Sequence, residues 1–479
     1  MYDVAIIGCG IVGAAAAYEL SRYRLKTVVL EKDADIACGT TKANSAIIHA
    51  GYDPEPGTAM AELDVLGAKL TKEIAEKLDV HYKQIGSLVL AFDDEDMQVI
   101  KKLYENGVAN GVQGVEILDG KQVLEMEPNL NSEVIGALHA PTAAIINPWE
   151  MCIAMAETAK VNGTEFRLNS PVEAIEKIEN GYRITTPTGV IEAAYVVNAA
   201  GVYSDVVHNL VGEPEFKILP SKGQYYLLDK SEGEVVNHII FQCPSKVGKG
   251  VLIAPTVHGN LIVGPDASDV EDASDVSTTQ DRMDFVREVS SKSVPKINFR
   301  ASIRNFAGIR AISDQPDFII AESKTAKNFI NLAGIKSPGL TSAPAIALRC
   351  VEILEGCGLA LEKKESFTDE RHVVRFKELS MEEKAEIIKK DPRYGRIICR
   401  CETITEGEIV AALHSPITPV TVDGIKKRCN AGMGRCQGGF CGPRVQEIIS
   451  RELNIKMEDI ELNTKGSYIL TGETKEGGC

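Results

Sequence analysis

The chain has 479 residues, 44% of them hydrophobic and 25% charged, with a single tryptophan, the make-up of an ordinary soluble protein of roughly two to four domains. A formal net charge of −16 argues against a nucleic-acid partner, because phosphate backbones are bound by basic surfaces. No run reaches the roughly 18 uninterrupted apolar residues of a membrane span, so membrane association is expected only peripherally or through a partner.

Residues 3–7 form an apolar β-run, GCGIVG follows, an alanine-rich helix reaches about Arg22, and KTVVLEK makes a second strand, the opening βαβ of a dinucleotide-binding fold. Asp3 stands where a secretory leader would carry basic residues, and glycines interrupt the apolar run, so this is not read as a signal peptide. In the turn, Gly8 permits the tight bend, Gly10 lets a pyrophosphate approach the backbone, and Gly13 lets helix and strand pack closely. The helix N-terminus then faces the phosphates. Glu31, with Lys32 beside it, ends the second strand, where a carboxylate accepts hydrogen bonds from ribose hydroxyls. Such a glutamate serves NAD and FAD alike, so the motif leaves the dinucleotide open.

Helical spacing runs from about Thr58 to Leu78 and from Asp94 to Asn110. YRITTPTGVIEAAYVVNAAG reads as two strands joined by a Pro-Thr-Gly turn, then another strand ending at a glycine turn. Strand signals dominate on to about Val263, which predicts an α+β middle with a sheet as a lid. FINLAGIKSPGLTSAPAIALRCVEIL returns to strand, glycine turn and helix, as if the chain re-enters its first domain. After Gly358 a charged segment reads as a linker with a short helix, opened by a capping box of Ser380 and Glu383. The expected organisation is a first domain over 1–365, with nucleotide-binding segments at about 1–80, 145–215 and 325–365 and lid segments between. A linker over 366–393, a cysteine-rich domain over 394–453 and a loose polar tail over 454–479 follow.

Twelve cysteines scattered over a long chain fit a reducing cytoplasm better than a disulfide scaffold. Cys399 and Cys401 form C-x-C and, after thirty-four intervening residues, Cys436 and Cys441 form C-x₄-C. TEGEIVAAL and VDGIKKR read as short helices that bring the pairs together on a zinc or iron centre, both of which thiolates bind. Glycines beside Cys436 and Cys441 keep bulk from the sulfurs and leave backbone N–H groups to point at them. Cys429 and the other seven cysteines fit no ligand pattern.

GTTKANSAIIHAGY, VVNAAGVYSD, AGIRAISD and GIKSPGLTSAPAIA, in that order, resemble the successive blocks of the FAD-dependent D-amino-acid-oxidase superfamily, especially its glycerol-3-phosphate dehydrogenase and 2-hydroxyglutarate oxidase branches. The resemblance covers residues 1 to about 360 and implies FAD between a Rossmann-like domain and an inserted mixed-sheet substrate domain. It implies that Thr41, Asn44 and Ser45 approach the flavin and pyrophosphate, that Val172 meets the adenine through its backbone, and that Gly201 and the turn carrying Gly334, Gly339, Leu340 and Thr341 close the site. His49 is the candidate acceptor of a substrate hydroxyl proton. Arg310 resembles the arginine that holds the substrate anion, and Lys336 adds a cation that favours a phosphate. The phosphoglycerol branch usually continues its histidine block with an arginine and a tyrosine; in HAGYDPEPG, Tyr52 is present and the arginine is missing. Lys222 in PSKGQYY is either a substitute cation or a solvated lysine.

The cysteine-rich stretch resembles the bacterioferritin-associated-ferredoxin-like [2Fe-2S] domain, in the C-x₄-C form found at the end of anaerobic glycerol-3-phosphate dehydrogenases, with Cys399, Cys401, Cys436 and Cys441 as ligands. Together the resemblances imply a cytoplasmic dehydrogenase, with the inner face of the membrane as the alternative location. It would pass electrons from FAD through the cluster to a second redox subunit or quinone. A 2-hydroxy-acid substrate, or an electron-transfer flavoprotein with no substrate of its own, are the alternatives. The fold class expected is α/β and α+β with a small C-terminal helical iron–sulfur domain.

Overall fold

The computed structural model describes residues 1–244 and 250–472. The strand Tyr2–Ile7 lies at the centre of the first sheet, parallel to Thr27–Leu30 on one side and to the back half of Gly189–Asn198 on the other. Phe329–Ala333 extends the parallel set and Ile319–Glu322 closes it antiparallel. These strands read as unbroken apolar runs because both faces of the sheet are covered. Against one face sits the helix Ile11–Leu20, whose Ala14 to Ala17 are fully buried. Its small side chains let it lie between the sheet and the helices Pro148–Val161 and Gly339–Gly356. The stretch read as two successive strands after the Pro-Thr-Gly turn is one strand, Gly189–Asn198. Its front half pairs antiparallel with Gly181–Thr186 and its back half parallel with Tyr2–Ile7, so a change of partner, with no turn, divides it.

Among the described residues, a second sheet of nine strands covers this domain. Its longest pairing joins Ile218–Leu228 to Ser302–Ser313, antiparallel. Within the latter, Gly308 lies so close to the backbone of Ala43 that any β-carbon would collide with the Ala43 carbonyl. Next to it, Thr40 Oγ1 donates to Ile309 O at 2.6 Å. The lid sheet is thus fastened to the 40–45 segment of the nucleotide domain.

The segment after Gly358 is a strap. Asp369 meets Arg22, Arg371 meets Glu157, and Arg375 meets both Asp79 and Glu150, all on the first domain. The helix Met381–Lys390 follows with both bonds of its capping box in place, Glu383 N–H to Ser380 Oγ and Ser380 N–H to the Glu383 carboxylate. The helices Glu406–Leu413, Val422–Cys429 and Gly442–Leu453 then pack around Ile409, Ile425, Ile448 and Ile449. Residues after 454, expected in the tail, continue this unit: Ile460 is buried in the same cluster, and the carbonyls of Glu461 and Leu462 accept from Val422 and Asp423 N–H at the start of a helix. Residues 473–479, the last of the expected loose tail, lie outside the described residues.

The cysteine domain is seated on the nucleotide domain by a buried ion cluster. Arg428 donates to both Asp35 carboxylate oxygens, at 2.9 and 3.0 Å, and Lys427 Nζ lies 2.9 Å from the same carboxylate, with all three side chains less than a tenth exposed. Burial alone would raise the Asp35 carboxyl, but the Arg428 and Lys427 charges outweigh it and hold its pKa well below the usual carboxylate range. Asp35→Asn leaves the buried Lys427 without its carboxylate and Arg428 with only Glu157, 3.6 Å away, and breaking a buried pair costs about 3–5 kcal/mol. The expected outcome is earlier denaturant-induced loss of the cysteine domain and faster proteolysis within 366–393, read by limited digestion beside wild type.

Candidate functional site

Gly8 has φ +96°, and a β-carbon there would lie 2.6 Å from the Ala199 carbonyl; one at Gly13 would collide with Gly8 O. Gly10 caps the helix Ile11–Leu20 without a side chain, and Thr41 Oγ1 accepts the Ile11 N–H at 2.9 Å. Glu31, buried, accepts from Cys9 N–H at 2.7 Å and from Asp33 N–H at 3.0 Å. Burial pushes its carboxyl up, and the two N–H bonds work against that rise. Lys32 turns away, paired to Asp33 and lying over the Tyr203 ring. Gly201 has φ +58°, and a β-carbon there would meet no atom within 4 Å, so this side of the cradle is open. Asn44 is used within its own loop, donating to the carbonyls of Thr40 and Thr41 and accepting from Ala46 N–H. Ser45 Oγ stands 3.2 Å from Tyr225 Oη of the lid. Val172 packs its side chain against the apolar cluster of Ile7, Leu30 and Ile184. A side-chain-free helix start, a close-packed glycine turn and a buried carboxylate at the strand end fit the pyrophosphate and ribose of a dinucleotide.

At the other end of the 40–49 segment, His49 N–H donates to Thr341 Oγ1 at 2.9 Å and His49 Nε2 lies 3.3 Å from Ser337 Oγ. Its ring stacks on Phe241 of the lid, centroids 5.9 Å apart. The 334–341 turn, with Gly334 at φ +64°, Gly339 opening the following helix and Leu340 half-buried beside it, is therefore brought against His49 from almost 300 positions away. Lys336 in the same turn donates to Pro316 O at 3.3 Å. Arg310 lies two positions from Gly308, hence on the same face of its strand. Its guanidinium crosses Gly223, where a β-carbon would collide with Nη2, and donates to Asp266 O at 2.9 Å. Among the described residues it has no carboxylate partner. Lys222 is neither solvated nor spare: its side chain is 6% exposed and ion-paired to Asp275 at 2.8 Å. Asp266 carries no motif of its own, Gly223 and Ser337 do not stand out within theirs, and only the folded contacts show that Gly223 and Asp266 lie against Arg310 and Ser337 against His49.

The four expected metal ligands stand as two facing pairs. Cys401 Sγ and Cys436 Sγ are 3.6 Å apart, and Cys399 is hydrogen-bonded to Cys441. That bond, with help from the Gly432 and Glu402 N–H groups and against the effect of burial, brings the Cys399 thiol down to about 6. The Phe440 N–H holds Cys436 down in the same way. Two thiolates on a tetrahedral ion at ~2.3 Å stand about 3.8 Å apart, close to the 3.6 Å between Cys401 and Cys436, so that pair suits one metal ion. Among the described residues no three His, Cys, Asp or Glu side chains already surround a single point. The arrangement fits a two-metal thiolate-ligated group better than one ion. Cys429 is not part of it: its thiol donates to Ile425 O and burial pushes it up to about 12.

A family model for FAD dependent oxidoreductases matches residues 3–353. The chain belongs to that family. A second model, the BFD-like [2Fe-2S] binding domain, matches residues 397–451. This FAD-dependent oxidoreductase is 52% identical, over 99% of both chains, to a glycerol 3-phosphate dehydrogenase of Caloramator mitchellensis. It is 37% identical to a glycerol 3-phosphate oxidase of Mycoplasma genitalium, over 76% of this chain and 96% of that one. It superposes with TM-score 0.74 and 31% identity on the L-alpha-glycerophosphate oxidase of Mycoplasma pneumoniae with FAD bound, over 78% of this chain and 99% of that one. Its cofactors are FAD and a [2Fe-2S] cluster, and the expected fold class is the one found. No helix among the described residues is long and apolar enough to cross a membrane.

Glu31→Arg removes a carboxylate that accepts from two backbone N–H groups at the end of the second strand, where a ribose would be bound, and hydrogen bonds to a charged group are each worth roughly 1.5–3 kcal/mol. FAD retention through gel filtration is expected to fall at least tenfold, with the cysteine domain's iron content unchanged.

Proposed function

We propose that this oxidoreductase oxidises sn-glycerol 3-phosphate to dihydroxyacetone phosphate and that its reducing equivalents leave by way of the cysteine domain, to a partner redox protein or quinone. The observation that carries the reading is Arg310, a half-buried guanidinium with no carboxylate partner among the described residues, held by Asp266 O on the lid face that meets the 40–45 segment. The glycerol 3-phosphate enzymes among its relatives support the substrate.

FAD supplies a two-electron acceptor and the cluster a one-electron carrier. The chain's own residues do the rest. Arg310 grips the substrate phosphate through its free N–H donors, and Lys336 adds a second cation for the phosphate or the developing carbonyl oxygen. His49 Nε2 takes the proton of the hydroxyl being oxidised, its ring kept in place by Phe241 and by Ser337 Oγ. The exit route is supported by the relatives' lengths: the oxidase leaves about a quarter of this chain unmatched, about the length beyond residue 365, while the dehydrogenase matches throughout.

A 2-hydroxy acid is the second reading, favoured by the missing arginine after His49 and by the capture of Lys222 by Asp275, which leave fewer cations for a dianion.

Anaerobic addition of glycerol 3-phosphate is expected to bleach the oxidised-flavin band, and 2-hydroxyglutarate to leave it unchanged; the reverse would establish the second reading. Arg310→Ala is expected to lower kcat/KM for glycerol 3-phosphate at least tenfold with normal flavin content, since a lost bond to a charged group is about one to two decades. Gly223→Ala should move the same parameter in the same direction by displacing the guanidinium. Cys436→Ser should bleach normally in a single turnover and lose about two irons per chain together with turnover on a protein acceptor.

A further inference from the structure

The surface around the cysteine pairs differs in charge from the rest of the chain. Residues 424–446 hold five Lys or Arg and no Asp or Glu, in a chain with 68 acidic and 52 basic residues. Lys427 and Arg428 are buried on Asp35, and Lys426 is held by Asp423. Arg435 and Arg444 are exposed, each with one carboxylate neighbour, Asp229 and Glu447. Arg400, exposed between Cys399 and Cys401, and Arg304, which donates to the Gln437 side chain at 3.2 Å, have no carboxylate partner among the described residues. Among these arginines stands Phe440, 85% exposed, the most exposed large apolar side chain of the described residues. Its backbone N–H serves Cys436, its chain neighbour is Cys441, and Cys401 itself is exposed.

We propose that this face docks an acidic protein carrying its own one-electron redox group. The proposal rests on the reading that reducing equivalents leave through the cysteine domain. Arginines flanking an aromatic side chain are the composition of an interface core with a steering rim. One aromatic and four arginines suit the small contact of a transient redox encounter, for which an extended apolar face is unnecessary. The positive charge sits on a chain of net −16, so it selects an acidic partner against the bulk repulsion of the remaining surface. Each substrate oxidised releases two electrons and two protons; the protons go to solvent and the electrons reduce two acceptor molecules, one per encounter.

The test uses the holoenzyme with saturating glycerol 3-phosphate under nitrogen and two haem-protein probes, acidic cytochrome b5 and basic cytochrome c. Reduction of cytochrome b5 is expected to slow as salt rises. Arg304→Glu and Arg400→Glu should each lower its kcat/KM about tenfold and raise that of cytochrome c, and Phe440→Ser should lower it severalfold. Flavin bleaching by substrate should stay at the wild-type rate in all three variants. Unchanged cytochrome b5 kinetics in the arginine variants overturns the docking face, as does a wild-type dimer in sedimentation that Phe440→Ser disperses. Cys436→Ser separates this failure from that of the exit route. If cytochrome b5 reduction survives there, the route itself is wrong; if it is lost there while the arginine variants behave as wild type, only the docking face is wrong.

Discussion

The carboxylate of Asp35, buried between Arg428 and Lys427, ties the two redox parts of this chain into one body. A buried ion cluster is a poor source of net stability, because the charges lose their hydration, but removing one partner leaves an uncompensated buried charge and is strongly destabilising. Asp35 opens the segment that runs through Thr41, Ala43 and Ser45 to His49. Along these fifteen residues the cysteine domain, the glycine-turn helix, the lid sheet and the 334–341 turn all make specific contacts.

The lid is held by similar means. Gly308 and Gly223 lack side chains where the backbone of Ala43 and the guanidinium of Arg310 must pass. Arg310 is positioned by a carbonyl, whereas Lys222, one residue from Gly223, is neutralised by Asp275. Two cations on neighbouring strands of one sheet are thus partnered differently: the lysine by a carboxylate and the guanidinium by a backbone carbonyl.

In the cysteine domain one sulfur of each facing pair is favoured as thiolate, Cys399 by its bond to Cys441 and Cys436 by the Phe440 N–H, while Cys401 and Cys441 are shifted the other way. The glycine-rich loop has little bulk, so the exposed pair, Cys401 and Cys436, stays near the surface while Cys399 and Cys441 are buried. A buried side and an exposed side are what a relay between an interior site and an external partner requires.

Features governed by a few consecutive residues were determined by the sequence alone. The glycine turn follows from a backbone conformation that only Gly8 accepts readily and from contacts too close for side chains at Gly13. The helix Asp94–Asn110 and the Ser380–Glu383 capping box follow from local spacing and local hydrogen bonds, and the four cysteine ligands stand out by theirs. Tertiary structure alone decided which cysteines pair, since the facing sulfurs are Cys401 with Cys436 and Cys399 with Cys441, across the two motifs. It also decided that residues 189–198 form one strand, that Lys222 is ion-paired to a carboxylate and Arg310, among the described residues, is not, and that residues 455–462 join the cysteine core. The reason is range. Hydrogen-bond and dihedral preferences act over a few positions, whereas Asp35 and Arg428 are 393 positions apart, and an ion pair at that separation leaves no period or spacing until burial brings the two charges together.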